Sequence, residues 1–141
     1  MASPEAVRLL KTAPLFAQFS EKELEAVLRT AKERVFEAGS PIVREGAEGG
    51  VGFYLVLDGQ VEVRKGKKSL AKLGGGEFFG EMALLDDAPR SADVIALTKT
   101  RCVMLTRWDL RGLISTYPDI ALKILAGLAR RLRETDQALS E

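Results

Sequence analysis

Apolar residues along the chain keep two periods in turn. In "FSEKELEAVL" and just beyond it, Leu24, Val27, Leu28 and Ala31 recur at helical spacing, which predicts one packed face with Glu21, Lys22, Glu25 and Arg29 in solvent. Ser20 and Glu23 form a capping box at its start, and Phe19 stands where a hydrophobic staple onto Leu24 is expected. From Arg34 the period shortens. "RVFEAGSPIVREGAEGGVGFYLVLDGQVEVRKGKKSLAKL" is a series of short apolar runs separated by Gly, Pro and Asp-Gly, the pattern of antiparallel strands. "YLVLDGQVEV" places two alternating runs across Asp58-Gly59, where a tight turn needs residues that tolerate positive φ. Two more strands follow at 92–97 and 101–105. Many short strands with frequent turns predict a small barrel or jelly roll.

Helical spacing returns after it. Thr106, with Asp109 three residues on, caps a helix carrying Trp108, Leu110, Leu113 and Ile114, and Pro118 should stop it near Tyr117. Trp108 is expected in the core or in helix packing rather than as a ligand platform. A last helix starts at Pro118 or Asp119 and carries Leu125, Leu128, Leu132, Thr135 and Leu139 on a seam of alternating three and four spacing. Such a seam suits a partner helix and hence a homodimer. For Ile124, Leu125 and Leu128, packing on the same chain fits equally well, whereas Leu132 and Leu139 favour a dimer. The expected fold is α+β: an antiparallel β-barrel or jelly roll with an N-terminal helix and C-terminal helices. It forms one domain over 1–141, with a helical segment at 1–33, the barrel at 34–105 and helices at 106–141.

Composition narrows the function. The chain has 141 residues, 46% of them hydrophobic, enough for one core. Twenty-one Lys and Arg balance 20 Asp and Glu, so the net charge of +1 gives no reason to expect nucleic acid or an acidic membrane as partner. Histidine is absent, which removes the commonest metal ligand and general base. No nucleophile is paired with a base, so no enzyme activity and no metal are expected. Cys102 is the single cysteine and, within "RCVML", reads as a small apolar strand residue. No apolar run nears the roughly 18 residues of a membrane span, and the N-terminus lacks a signal peptide's basic start and long apolar stretch, so a cytoplasmic location is expected.

The candidate chemistry lies in "GEFFGEMALLDDAPRSA", residues 76–92. A short helix is predicted from Gly80 or Glu81. The N–H groups around Met82 and Ala83 suit a phosphate, and Gly80 removes the side chain that would obstruct it. Arg90, beside Pro89, supplies a permanent charge and forked donors. A carboxylate at Glu81 either accepts from ligand hydroxyls, as a ribose 2′-hydroxyl would provide, or caps the helix and pairs with Arg90 across a turn.

The whole string, Phe79-Gly80-Glu81-Met82-Ala83-Leu84-Leu85, then Asp86-Asp87-Ala88, then Pro89-Arg90-Ser91-Ala92, resembles the phosphate-binding cassette of the cyclic nucleotide-binding domain family. Gly39, Ile42, Glu45, Gly46, Tyr54, Val56, Gly59 and Val61 also stand where that family places barrel glycines and strand residues, so the resemblance runs from about Leu15 to the final helix. It implies that Arg90 binds the cyclic phosphate and that Glu81 takes the ribose 2′-hydroxyl. Phe79, Gly80, Met82, Ala83 and Ala92 would line or present backbone groups to the ligand, and Ser91 would add its hydroxyl. Asp86 and Asp87 would form a solvated turn. Asp93 stands where Thr or Ala is usual, which matters little if it points outward.

"PDIALKILAGLARRLRETDQAL" resembles the dimerisation helix of bacterial catabolite activator proteins, with Thr135 and Asp136 at the pair that contacts adenine there. Cyclic AMP is therefore the expected ligand. Cyclic GMP is the alternative, since a Ser91 hydroxyl also suits a guanine amino group, and another cyclic nucleotide is not excluded. The activators continue into a helix-turn-helix domain where this sequence stops at Glu141, so direct DNA binding is not expected. The sensor would stand alone, with an unidentified effector protein, or be part of a larger transcription regulator, channel or kinase. The competing reading is a barrel that docks a protein partner without nucleotide.

Overall fold

The computed structural model describes residues 4–44, 52–85 and 92–140. They form two compact units, one of residues 30–110 and one combining the chain up to Arg29 with the chain from Arg111.

The first unit is built on strands β1 (Lys32–Phe36), β2 (Pro41–Val43), β3 (Gly52–Asp58), β4 (Gln60–Lys65), β5 (Lys68–Gly74), β6 (Phe78–Phe79), β7 (Asp93–Ala96) and β8 (Thr100–Thr106). They pair in two four-stranded antiparallel sheets, ordered β1-β8-β3-β6 and β2-β7-β4-β5. Alternation sends one side of each strand inward: Tyr54, Val56, Cys102 and Met104 from the first sheet meet Val61 and Val94 from the second in one buried cluster. This is the expected jelly roll. Cys102 is fully buried within it, and burial pushes its thiol up to about 11, so it packs as an apolar side chain.

The reading of "YLVLDGQVEV" needs one correction. The turn at Gly59 exists, with φ of 104°, but β3 and β4 do not pair with each other. β3 pairs with β6 and β8, and β4 with β5 and β7. Gly59 is the point where the chain leaves one sheet for the other. A Cβ there would lie 2.6 Å from the Lys99 carbonyl oxygen, so both backbone angle and space require glycine. Alternation along one strand cannot say which sheet the next run joins.

The helical unit contains α1 (Pro4–Lys11), a 3-10 turn at Pro14–Phe16, α2 (Glu21–Thr30) and α4 (Asp119–Ser140); α3 (Arg107–Thr116) spans the boundary between the units. α1 and the 3-10 turn add to the single N-terminal helix expected from sequence. Both capping boxes form. The Glu23 N–H donates to Ser20 Oγ at 3.2 Å while the Ser20 N–H donates to Glu23 Oε1 at 2.8 Å. The Thr106 and Asp109 side chains accept reciprocally from each other's backbone N–H at 3.0 Å. Phe16 and Phe19 meet edge to face at 5.2 Å, both buried.

α4 has two distinct faces. Ile120 and Ile124 are buried, Gly127 comes so close to the 3-10 turn that a Cβ would lie 2.5 Å from the Pro14 carbonyl oxygen, and Lys123 Nζ donates to Glu23 Oε1 at 2.6 Å. Burial alone would raise the Glu23 carboxyl, but the hydrogen bonds from Lys123 and Ser20 outweigh it and hold the carboxyl below its usual range. Leu122, Leu125 and Leu132 stand 60–67% exposed. Of the seam read from sequence, Leu125 and Leu132 lie on this exposed face, whereas Leu128 is half-buried. Trp108 departs from expectation: it is 61% exposed, with the Arg107 guanidinium 5.5 Å from its ring centre. Among the described residues no helix is long and apolar enough to cross a membrane.

Candidate functional site

The stretch that carries the cassette begins at β6, a strand of two residues. Strands this short have little ladder of their own, and β6 is held by β3 on both faces. In the ladder Tyr54 pairs with Phe79 and Leu55 with Phe78. On the inner side the Tyr54 and Phe79 rings stack at 4.9 Å with 10° between planes; on the other side Phe53 and Phe78 stack at 5.8 Å and 29°. The loop before β6 is tied down too, the Val56 N–H donating to the Glu77 carbonyl and the Gly76 N–H to the Val56 carbonyl, both at 2.8 Å.

Gly80 follows Phe79 with φ of 80°, a left-handed turn that suits glycine, and a 3-10 helix then runs over Glu81–Leu84. The predicted helix start is therefore present, with Met82 and Ala83 inside it. Glu81 is only 6% exposed. Its carboxylate is an acceptor, chemically suited to a hydroxyl donor. At the other end of the cassette, Ala92 is half-buried and leads into β7. β6 and β7 belong to opposite sheets, yet Phe79 and Val94 pack in the same interior cluster. The two described ends of the cassette thus converge on one core. Arg90, Ser91, Asp86 and Asp87 lie outside the described residues.

Asp93 alternates with the inward-facing Val94 and stands opposite Arg64 in the β4–β7 ladder, so it lies on the outer face of its sheet. The condition set for it in the sequence is met. Nearby on that face Arg64 Nε donates to Glu62 Oε1, and this contact, with one from Ser69, lowers the Glu62 carboxyl below its usual range against the opposing effect of burial.

The sequence also assigns base contacts to a pair on the last helix. Thr135 and Asp136 are exposed on α4, in the helical unit. The Thr135 hydroxyl donates to the Arg131 carbonyl oxygen of its own helix at 3.0 Å. Tyr54, legible in the sequence as an apolar strand position, has the first residue of the cassette as its ring partner. The signal lay in "GFYLVL", whose alternation puts Tyr54 and Val56 on one face, but its partner across the sheet could not be read.

Comparison with known proteins accords with this arrangement. The sequence profile of the cyclic nucleotide-binding domain matches residues 33–117. The Cyclic AMP receptor protein of Thermus thermophilus is 38% identical over 135 residues, which is 92% of this chain and 62% of that protein. A cAMP-dependent protein kinase regulatory subunit of Yarrowia lipolytica is 36% identical over 112 residues, 78% of this chain and 30% of that one. Among solved structures, the N-terminal domain of a transcriptional regulator from Streptomyces coelicolor superposes with a TM-score of 0.86 at 30% identity, covering 94% of this chain and 95% of that one. The chain belongs to the cyclic nucleotide-binding domain family. It spans about three fifths of the length of the Thermus protein.

Proposed function

We propose that this protein is a non-enzymatic cyclic nucleotide sensor of the cytoplasm whose ligand is cyclic AMP, with residues 1–141 acting as one domain. The observation that carries the reading is Glu81. It is a buried carboxylate set behind a left-handed glycine at the start of a cassette whose sequence is that of the family, and it suits a ribose 2′-hydroxyl. Arg90 supplies the charge for the cyclic phosphate, Ser91 a hydroxyl, and Phe79, Gly80, Met82, Ala83 and Ala92 the walls and backbone groups. Thr135 and Asp136 contact the base edge, Asp136 accepting from an adenine amino group.

Ligand shifts the C-terminal helices by binding one of their arrangements better than another, and only that difference in affinity does work. The exposed Leu122, Leu125 and Leu132 hold α4 of a second copy in a homodimer, and an effector protein reads the change. Isothermal titration with cyclic AMP and cyclic GMP tests the reading. Micromolar or tighter binding of cyclic AMP, lost in Arg90→Ala, is expected. No heat with either nucleotide, together with no thermal shift, overturns it in favour of another cyclic nucleotide or the partner-docking barrel.

A further inference from the structure

The contacts around β6 reach beyond packing. Glu81 is separated from the nearest ladder pair only by Gly80, whose freedom at positive φ lets the backbone on either side pivot. Nothing in a two-residue strand fixes that pivot by itself. The inner stack does: Tyr54 is 4% exposed, anchored in the middle of β3, which is paired on both sides, and it also meets Phe36 edge to face at 6.4 Å. Its ring lies flat on Phe79. The outer stack of Phe53 on Phe78 holds the residue before, on the opposite face, and so stands one position farther from Glu81.

Resting on the assignment of Glu81 to the ribose, we infer that Tyr54 is a positioning residue for the nucleotide site: its stack on Phe79 fixes the start of the cassette so that the Glu81 carboxylate stands where a 2′-hydroxyl arrives. Tyr54 does not touch the hydroxyl itself. Its effect is expected to fall more on that ligand group than on the rest of the nucleotide, whereas a loss of general stability would weaken every nucleotide alike.

The test compares cyclic AMP with its 2′-deoxy analogue by isothermal titration. Wild type is expected to prefer the ribose by roughly ten- to a hundredfold, the worth of a hydrogen bond to a carboxylate. Tyr54→Phe, which keeps the ring, retains that preference. Tyr54→Leu loses most of it while still binding both nucleotides through the phosphate, and in that background Glu81→Gln has little further effect. If Tyr54→Leu melts below the assay temperature, Tyr54→Met, which also removes the ring but fills more of its space, takes its place and is expected to lose the preference in the same way. A folded leucine or methionine variant that discriminates as wild type does overturns the positioning role and leaves the Glu81 assignment standing. A wild-type chain that binds both nucleotides equally overturns that assignment, and this inference with it.

Discussion

The two places where the sequence puts ligand contacts differ in how they are supported. Around Glu81 the jelly roll supplies a strand clamped by aromatic rings on both faces, a glycine turn, and a carboxylate 6% exposed. Around Thr135 and Asp136 there is an exposed helix surface, and the threonine hydroxyl is engaged with its own backbone. The proposed sugar contact at Glu81 is thus carried by the sheets, whereas the proposed base contacts at Thr135 and Asp136 lie on a helix surface that is exposed in this structure.

This contrast can be broken most severely at Arg90. Arg90→Ala should weaken cyclic AMP by about 2 to 5 kcal/mol, the range for stripping one partner from a buried charged contact, and titration should show the loss with the melting temperature nearly unchanged. Glu81→Ala comes next, at about 1.5 to 3 kcal/mol, again in affinity rather than in folding. If Glu81→Ala instead unfolds the chain, the carboxylate is a structural cap, as the sequence alone also allowed.

Smaller effects are expected at the helix. Thr135→Ala and Asp136→Asn should change stability by no more than about 0.5 kcal/mol, as exposed sites do. Their effect on cyclic AMP affinity should grow with protein concentration, when a second copy covers the surface. Titrations at two concentrations a hundredfold apart check this, and equal effects at both argue that the base half needs no partner.

The smallest effect concerns pH. Because the Glu23 carboxyl is held below its usual value of 4.5, its pair with Lys123 contributes stability that is whole above pH 4.5 and is lost as pH falls through the lowered value. Thermal melts on Lys123→Met should therefore show a shallower acid-side decline than wild type, while Glu23→Gln, which can still close the capping box, should follow Lys123→Met.

Much of this was legible in residue order because the signals are local. A capping box needs two residues one turn apart, and both formed; the cassette string and the change from helical to strand period are equally local. Trp108 shows the limit. An apolar residue at a helix start reads as core, yet whether anything lies opposite it depends on elements distant in sequence, and it stands exposed. The α4 seam shows it again: apolar residues lie on more than one side of the helix, and only the packed partners decide that Ile120 and Ile124 face inward while Leu122 and Leu125 do not.

By itself the sequence determined the kinds of element, their caps, and the residues that give the cassette its chemistry, since those follow from backbone preferences and side-chain groups within a few positions. Only the tertiary structure decided that Gly59 carries the chain between sheets, that Tyr54 lies flat on Phe79, and that Asp93 faces away from the core. Each of these depends on which strand lies beside which, and side-chain pairing across a sheet is set by register between segments far apart in the chain.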